Sequence, residues 1–157
     1  MAARKRDATF IVQFNAIGEV LLLKRPPDHP KSPNQWTLPG GKRDWDDDEW
    51  KLKNKIVYIE SIDACASREF EEETGARLSV FRMEPILSTS SKHIIYTYTS
   101  IVDLPSDILP KEFPNNEHVE YMWWNAELDD APEGMSQLAL DVLTAIADLY
   151  DDEEEDD

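Results

Sequence analysis

Glu60-Ser61-Ile62-Asp63-Ala64-Cys65-Ala66-Ser67-Arg68-Glu69-Phe70-Glu71-Glu72-Glu73-Thr74-Gly75 is the stretch on which the fold and chemistry of this chain turn. A helix signal runs from Ser61 to Thr74 and stops at Gly75, a residue without Cβ that takes the left-handed C′ position easily. At about 100° per residue, with Ile62 at zero, Ala66 falls at about 40° and Phe70 at about 80°, an apolar stripe fit to face a sheet. Glu69 falls at about −20° and Glu73 at about 20°, within that stripe, with Glu72 about 60° to one side of Glu69. Glu71, at about 180°, points to water.

Carboxylates at i, i+3 and i+4 repel one another, and their partial burial without countercharge costs on the order of several kcal/mol. A cation is therefore expected among them. Oxygen ligands gathered on one helix face suit Mg²⁺ or Mn²⁺, which prefer carboxylates, water and phosphates to nitrogen or sulfur. Taken alone, the same run also reads as a Glu-rich helix with its charges in solvent.

Outward from this helix the chain alternates strands and loops. Thr9 to Phe14 and Glu19 to Lys24 are β-rich runs around a turn at Ala16, Ile17 and Gly18, which predicts a hairpin. Pro26, Pro27, Pro30 and Pro33 break the chain into a loop, and Trp36, Thr37 and Leu38 form a short strand ending at Pro39, Gly40 and Gly41. Beyond Gly75, strands are expected at Leu78 to Arg82, Ile86 to Ser90 and Ile94 to Asp103, then at Val119 to Trp124 after a Pro-rich loop. A last helix, Met135 to Leu149, carries Leu138, Leu140, Val142, Leu143 and Ile146 on roughly one face. Strands interrupted by two helices predict an α+β fold, a mixed sheet with helices packed on it.

The whole chain of 157 residues, 41% hydrophobic, has material for one core and predicts one domain over 1–150. The closing run Asp151 to Asp157 is wholly acidic and is expected to be a solvated, disordered tail. It accounts for seven of the −17 formal charges and leaves −10 on the rest, a sign that disfavours an extended grip on DNA or RNA. No apolar run of about twenty residues would span a bilayer, and Met1 to Asp7 is charged with no apolar segment behind it, so a cytoplasmic location away from membranes is expected. The single cysteine, Cys65, has no partner for an internal disulfide and no ligands at zinc spacing, and reads as a packed residue.

Glu60, seven residues, then Arg68-Glu69-Phe70-Glu71-Glu72-Glu73-Thr74-Gly75 resembles the second half of the Nudix box, and Trp36-Thr37-Leu38-Pro39-Gly40-Gly41-Lys42 resembles its approach and opening glycine. Six fixed identities from Glu60 to Gly75 coincide by chance about once in a million starts. The resemblance implies a mixed sheet between helices, an α/β/α sandwich, and a hydrolase that cuts a diphosphate linkage with Mg²⁺, or with Mn²⁺ in its place. Two departures stand out. Lys42 to Ile59 supplies eighteen residues where the family has five, an insertion of thirteen that could displace the glycine loop from the helix, and Ala76 stands where a bulky aliphatic residue is usual. Trp45, Trp50 and Tyr58 of the insertion are candidates for a lid over substrate or a homodimer interface, with a solvated hairpin as the alternative.

By this resemblance Glu69, Glu72 and Glu73 would hold the divalent ions, and Arg68 would orient them, with Glu60 as its ion-pair partner. Gly40 and Gly41 would let backbone approach the phosphates, and Lys42 and Arg25 are candidate phosphate contacts. Glu117-His118-Val119-Glu120-Tyr121-Met122-Trp123 looks like a segment of Nudix nucleotide hydrolases in which a glutamate lies beside the metals. Glu117 is the first choice for a general base and metal ligand, Glu120 the second, with His118 read as a structural hydrogen-bonding residue. Trp36, Tyr96, Tyr98 and Trp124 are candidates for stacking a base, against an ordinary core role. Three functions follow: hydrolysis of a nucleoside triphosphate or dinucleoside polyphosphate, a nucleotide-sensing module of the same fold, or an acidic interaction protein. Loss of box glutamates is usual in the second, and this chain keeps them all.

Overall fold

The computed structural model describes residues 6–75, 81–89, 93–102, 118–125 and 130–155. Along the chain these are β1 (Arg6–Asn15), β2 (Val20–Lys24), β3 (Trp36–Thr37), β4 (Gly40–Lys42), α1 (Asp47–Lys53), α2 (Ile62–Thr74), β5 (Phe81–Thr89), β6 (His93–Val102), β7 (Glu120–Trp124) and α3 (Gln137–Glu155). The sheet runs β3-β2-β1-β6-β5, with β4 also on β1 and β7 also on β2. β1 and β6 are parallel from Arg6↔His93 to Asn15↔Val102, and the other pairs are antiparallel, so the sheet is mixed as expected.

The expected hairpin is present, and Asn15 fastens its turn. The Asn15 side-chain carbonyl accepts from the Ile17 and Glu19 amides at 3.2 and 2.9 Å, and Gly18 adopts φ +83°. Beyond the pair Phe14↔Val20 the two strands part, β3 pairing with β2 and β4 with β1. The segment 36–42 fills that fork, fixed midway by the Ile11 amide donating to the Pro39 carbonyl at 2.8 Å. The Pro39-Gly40-Gly41 turn is thus built into the sheet.

Side chains alternating along the strands build a core on each face. Val12, Val20, Leu22, Leu38 and Trp124 meet Ala139, Val142 and Ile146 of α3, with Phe10, Phe14, Met122 and Leu143 at the margin. Ile11, Leu21, Leu23 and Tyr98 meet Ala66 and Phe70 of α2, with Tyr121 and Trp123 beside them. Helices on both faces explain the unbroken apolar run of β2, and the sandwich is the α+β architecture expected.

Four local differences from the sequence reading have physical causes. The apolar stripe of α3 is 139, 142, 143 and 146, with fully buried Ala139 at the contact and Leu138 and Leu140 only half-buried. A small side chain at that point lets the helix lie close to the sheet. β5 is one strand whose register shifts between Met83 and Leu87, where two strands were expected; Pro85 lacks an amide to donate and is absorbed by an irregularity. The α3 backbone stays helical through Glu155, where repulsion predicted a disordered run from Asp151, because an existing helix extends without a new nucleus. The insertion contains a helix, α1, capped by the Asp46 carboxylate accepting from the Asp48 and Glu49 amides, rather than a plain hairpin.

Candidate active site

Helix α2 starts and stops where its sequence directs. The Ser61 hydroxyl accepts from the Ala64 amide at 3.1 Å, and Gly75 takes φ +76° with its amide on the Glu71 carbonyl at 2.8 Å. Ala66 and Phe70 are fully buried against the sheet. Asp63, in the first turn, accepts a hydrogen bond from the buried Tyr98 hydroxyl, tying α2 to β6; burial first, then Asp63, push the Tyr98 phenol above its usual range.

The carboxylates fall as the helical period requires. Glu73 is 3% exposed, and its Oε2 accepts from the Gly40 amide at 2.7 Å. Glu69 has 13% of its side chain exposed and Glu72 has 49%, while Glu71 is exposed. A Cβ on Gly41 would lie 2.3 Å from the Glu69 Cδ, so any side chain there would push this carboxyl group aside. Gly40 is bound by backbone instead: at φ +152°, its Cβ would lie 2.0 Å from the Thr9 carbonyl oxygen. Despite the insertion, the glycine loop and the acidic face of α2 are in direct contact.

Arg68 is the hub of this face. Its Nε and Nη2 grip the two oxygens of Glu60 at 3.0 and 2.7 Å, a two-pronged charged pair with Glu60 13% exposed. Nη1 reaches Glu69 at 3.0 Å and Glu72 at 3.1 Å, and Nη2 reaches the Lys42 carbonyl at 3.2 Å. The Arg68 hydrogen bond to Glu60, outweighing burial, holds the Glu60 carboxyl below its ordinary range, and the same bond raises the Arg68 guanidinium above its own. The pair favours the charged form of both groups, and Glu60 holds Arg68 in place.

Other candidates make different contacts. Lys42 is exposed and meets Arg68 through its backbone carbonyl. Arg25, half-buried, donates to the Gln35 side chain at 3.4 Å. Trp36 and Trp124 belong to the core under α3, so the stacking role expected of them gives way to packing. Tyr98 is likewise core, and Tyr96 is half-buried beside it. Glu120 is exposed and pairs with Lys24 at 3.6 Å, while Glu117 lies outside the described residues. His118 is 5% exposed; burial, then the nearby charges of Arg25 and His29, lower its pKa to about 4. Neutral at physiological pH, it is buried as a structural residue would be, but its Nδ1 has no hydrogen-bond partner among the described residues, so the hydrogen-bonding role expected of it is not seen. Cys65 is fully buried beside the Thr9 hydroxyl and the Gly41 carbonyl, and burial pushes its thiol up to about 12.

A second polar cluster, centred on Arg43, Asp7 and Tyr58, was not anticipated. Its members lie far apart in sequence and meet only because β4 pairs with β1, so no local pattern signals them. In the insertion Trp45 stacks on Trp50 with ring centroids 4.8 Å apart, and the Arg6 guanidinium lies 4.2 Å above Trp45. Trp45 thus packs between Trp50 of its own segment and Arg6 of β1.

Among the described residues, no three acidic, histidine or cysteine side chains converge on one point. Yet Glu69 and Glu72 both meet the single Nη1 of Arg68, so two carboxylates share one cationic position beside the Gly40-Gly41 backbone. Hard oxygen donors without nitrogen or sulfur fit a divalent ion of the magnesium type. The site is an acidic helix face closed against a glycine turn, on a mixed sheet between two helices.

The comparisons agree. The NUDIX domain model matches residues 4–141. A MutT NUDIX hydrolase from Burkholderia pseudomallei is similar in structure, with 18% identity, 90% of this chain and 97% of that one covered, and a TM-score of 0.64. The NUDIX domain of Shewanella oneidensis NrtR, crystallised with ADP ribose, has 17% identity, coverage of 94% and 89%, and a TM-score of 0.65. An Ap4A hydrolase from C. elegans has 20% identity, coverage of 78% and 81%, and a TM-score of 0.53. No curated protein matches significantly in sequence. The chain belongs to the Nudix family. Enzymes of this family generally use divalent metal ions. Within the described residues no helix is long and apolar enough to cross a membrane.

Proposed function

We propose that this chain is a Mg²⁺-dependent hydrolase, with Mn²⁺ as a substitute, that splits a diphosphate linkage in a nucleoside triphosphate or dinucleoside polyphosphate. It works as one domain over 1–150 in the cytoplasm. The observation that carries this reading is the acidic face of α2 closed against Gly40 and Gly41, with Glu73 buried and Glu69 wedged where a side chain on Gly41 would sit. Glu69, Glu72, Glu73 and Glu117 would hold the ions, whose chemical contribution is to offset charge on the phosphate oxygens.

The protein's own groups supply position and proton handling. Arg68 holds Glu69 and Glu72 in register, itself locked by Glu60. Lys42 and Arg25 meet outer phosphate oxygens, and the Gly40-Gly41 backbone allows close approach. Glu117 takes the proton from water as its oxygen bonds to phosphorus and the anhydride P–O bond breaks, the electron pair leaving with the departing phosphate. The Lys24 pair leaves Glu120 as the second choice.

A panel of nucleoside triphosphates, dinucleoside polyphosphates and ADP-ribose, incubated with the purified protein and Mg²⁺ in ¹⁸O-water, tests this. The expected result is metal-dependent turnover on a triphosphate or dinucleoside polyphosphate, with ¹⁸O in one phosphate product. Tight nucleotide binding without turnover would replace the enzyme by a sensing module.

A further inference from the structure

The thirteen extra residues separate the glycine loop from Glu60 in sequence, yet Glu60 still grips Arg68. Closing an eighteen-residue segment instead of a five-residue one costs little more entropy, so a few bonds at its base suffice to restore the geometry. Those bonds are present. Trp45 bridges to Tyr58, the Asp46 amide donates to the Val57 carbonyl at 2.7 Å, and the Ile59 amide donates to the Asp44 carbonyl at 3.0 Å. Helix α1, at the far end, contains no buried residue.

Arg43 is the centre of the contacts that anchor the base to β1, beside Arg6, whose Nε donates to the Arg43 carbonyl at 2.9 Å. Arg43 Nε donates to the Glu60 carbonyl at 2.6 Å, Nη1 meets Asp7 Oδ2 at 2.9 Å, and the guanidinium plane lies 4.1 Å from the Tyr58 ring centroid. The Tyr58 hydroxyl accepts from the Asp7 amide at 2.8 Å, closing the ring of contacts. Glu60 is therefore held at both ends: its backbone carbonyl by Arg43, and its carboxylate by the Asp44 amide at 2.9 Å on Oε1, the oxygen that also meets Arg68 Nη2. A planar fork that donates on two edges and stacks on a ring is a task for arginine that lysine cannot fully replace.

We propose that Arg43 is a positioning residue for the acidic face of α2. By locking both ends of the insertion onto β1 it fixes Glu60, and through Glu60 it fixes the aim of Arg68 at Glu69 and Glu72. The insertion is then a brace for the site, and its outer helix is incidental. This inference rests on the hydrolase reading.

Arg43→Met and Arg43→Lys test it, each measured for kcat and KM on the best diphosphate substrate and titrated with Mn²⁺ alone. Small misplacements at a distance reach about 100-fold in rate, so Arg43→Met is expected to lower kcat roughly 10- to 100-fold with KM within about threefold. Mn²⁺ affinity should fall about fivefold or more, with Arg43→Lys intermediate. In a Glu60→Gln background, Arg43→Met should cost less than about a further twofold, because both act on one path. A merely structural arginine would lower the melting temperature but leave Mn²⁺ affinity and the kcat of folded protein unchanged, which would overturn the proposal. Multiplying losses in the double variant would overturn it too. If Arg43→Met does not fold, Arg43→Lys carries the same criteria. A wild type that hydrolyses no diphosphate would defeat the hydrolase reading, while the Mn²⁺ titration would still decide the role of Arg43.

Discussion

Two helices cover the two faces of one sheet, and they do so with different side chains. α3 lays Ala139, Val142 and Ile146 into an apolar core, and none of its described side chains is a buried charge. α2 buries Ala66 and Phe70 in the same manner but carries Glu73 down with them, only 3% exposed, and keeps Glu69 nearly as close. Burying a carboxylate is unfavourable unless hydrogen bonds and cations meet it, and here they do, through the Gly40 amide and Arg68. The α3 face shows what this sheet needs for stability. What α2 adds beyond that is chemistry.

Substitutions can break this contrast. The largest effect is expected from Glu73→Gln, which keeps the shape and removes the charge: kcat should fall about 10²- to 10⁴-fold, as several kcal/mol of charge stabilisation are lost, with little change in melting temperature. Steady-state kinetics beside a thermal melt would check it. On the opposite face, Ile146→Ala should cost about 2–5 kcal/mol in denaturant unfolding while leaving the kcat of folded protein unchanged. A clear loss of kcat there would erase the distinction between the faces.

Gly41→Ala sharpens the comparison within α2. Its new methyl group meets the Glu69 carboxyl, the far end of a side chain that can give way. Activity should therefore fall about tenfold while stability changes by less than about 1 kcal/mol. The smallest effect concerns Cys65. With its thiol pKa at about 12, it stays protonated and buried at pH 8, so a disulfide reagent should label it only after unfolding. Rapid labelling of the native protein would show that the segment under the glycine loop opens.

The legible parts of the molecule were those whose causes are local. Ser61 and Gly75 bound α2, and the 3.6-residue period placed Glu73 and Glu69 inward with Glu71 outward, because caps and periodicity act within one helix. The hairpin was equally plain. β4 was not, since Gly40-Gly41-Lys42 has no alternating pattern and becomes a strand only by pairing with β1. Its absence from the reading hid the Arg43, Asp7 and Tyr58 cluster, which depends on that pairing. Helix α1 did carry local signals, with Asp46 as cap, acids in the first turn and Lys51 and Lys53 in the last. For Trp36 the sequence left base stacking and an ordinary core role open, and its packing in the core with α3 favours the second.

The central claim is that the acidic face of α2 holds divalent ions. A titration of the purified protein with Mn²⁺, followed by electron paramagnetic resonance, tests it most directly when repeated on the double variant Glu69→Gln and Glu72→Gln with unchanged circular dichroism. Saturable Mn²⁺ binding in the wild type, weakened at least about tenfold in the double variant, is the predicted result. Equal binding by both proteins, or no binding by either, would contradict it.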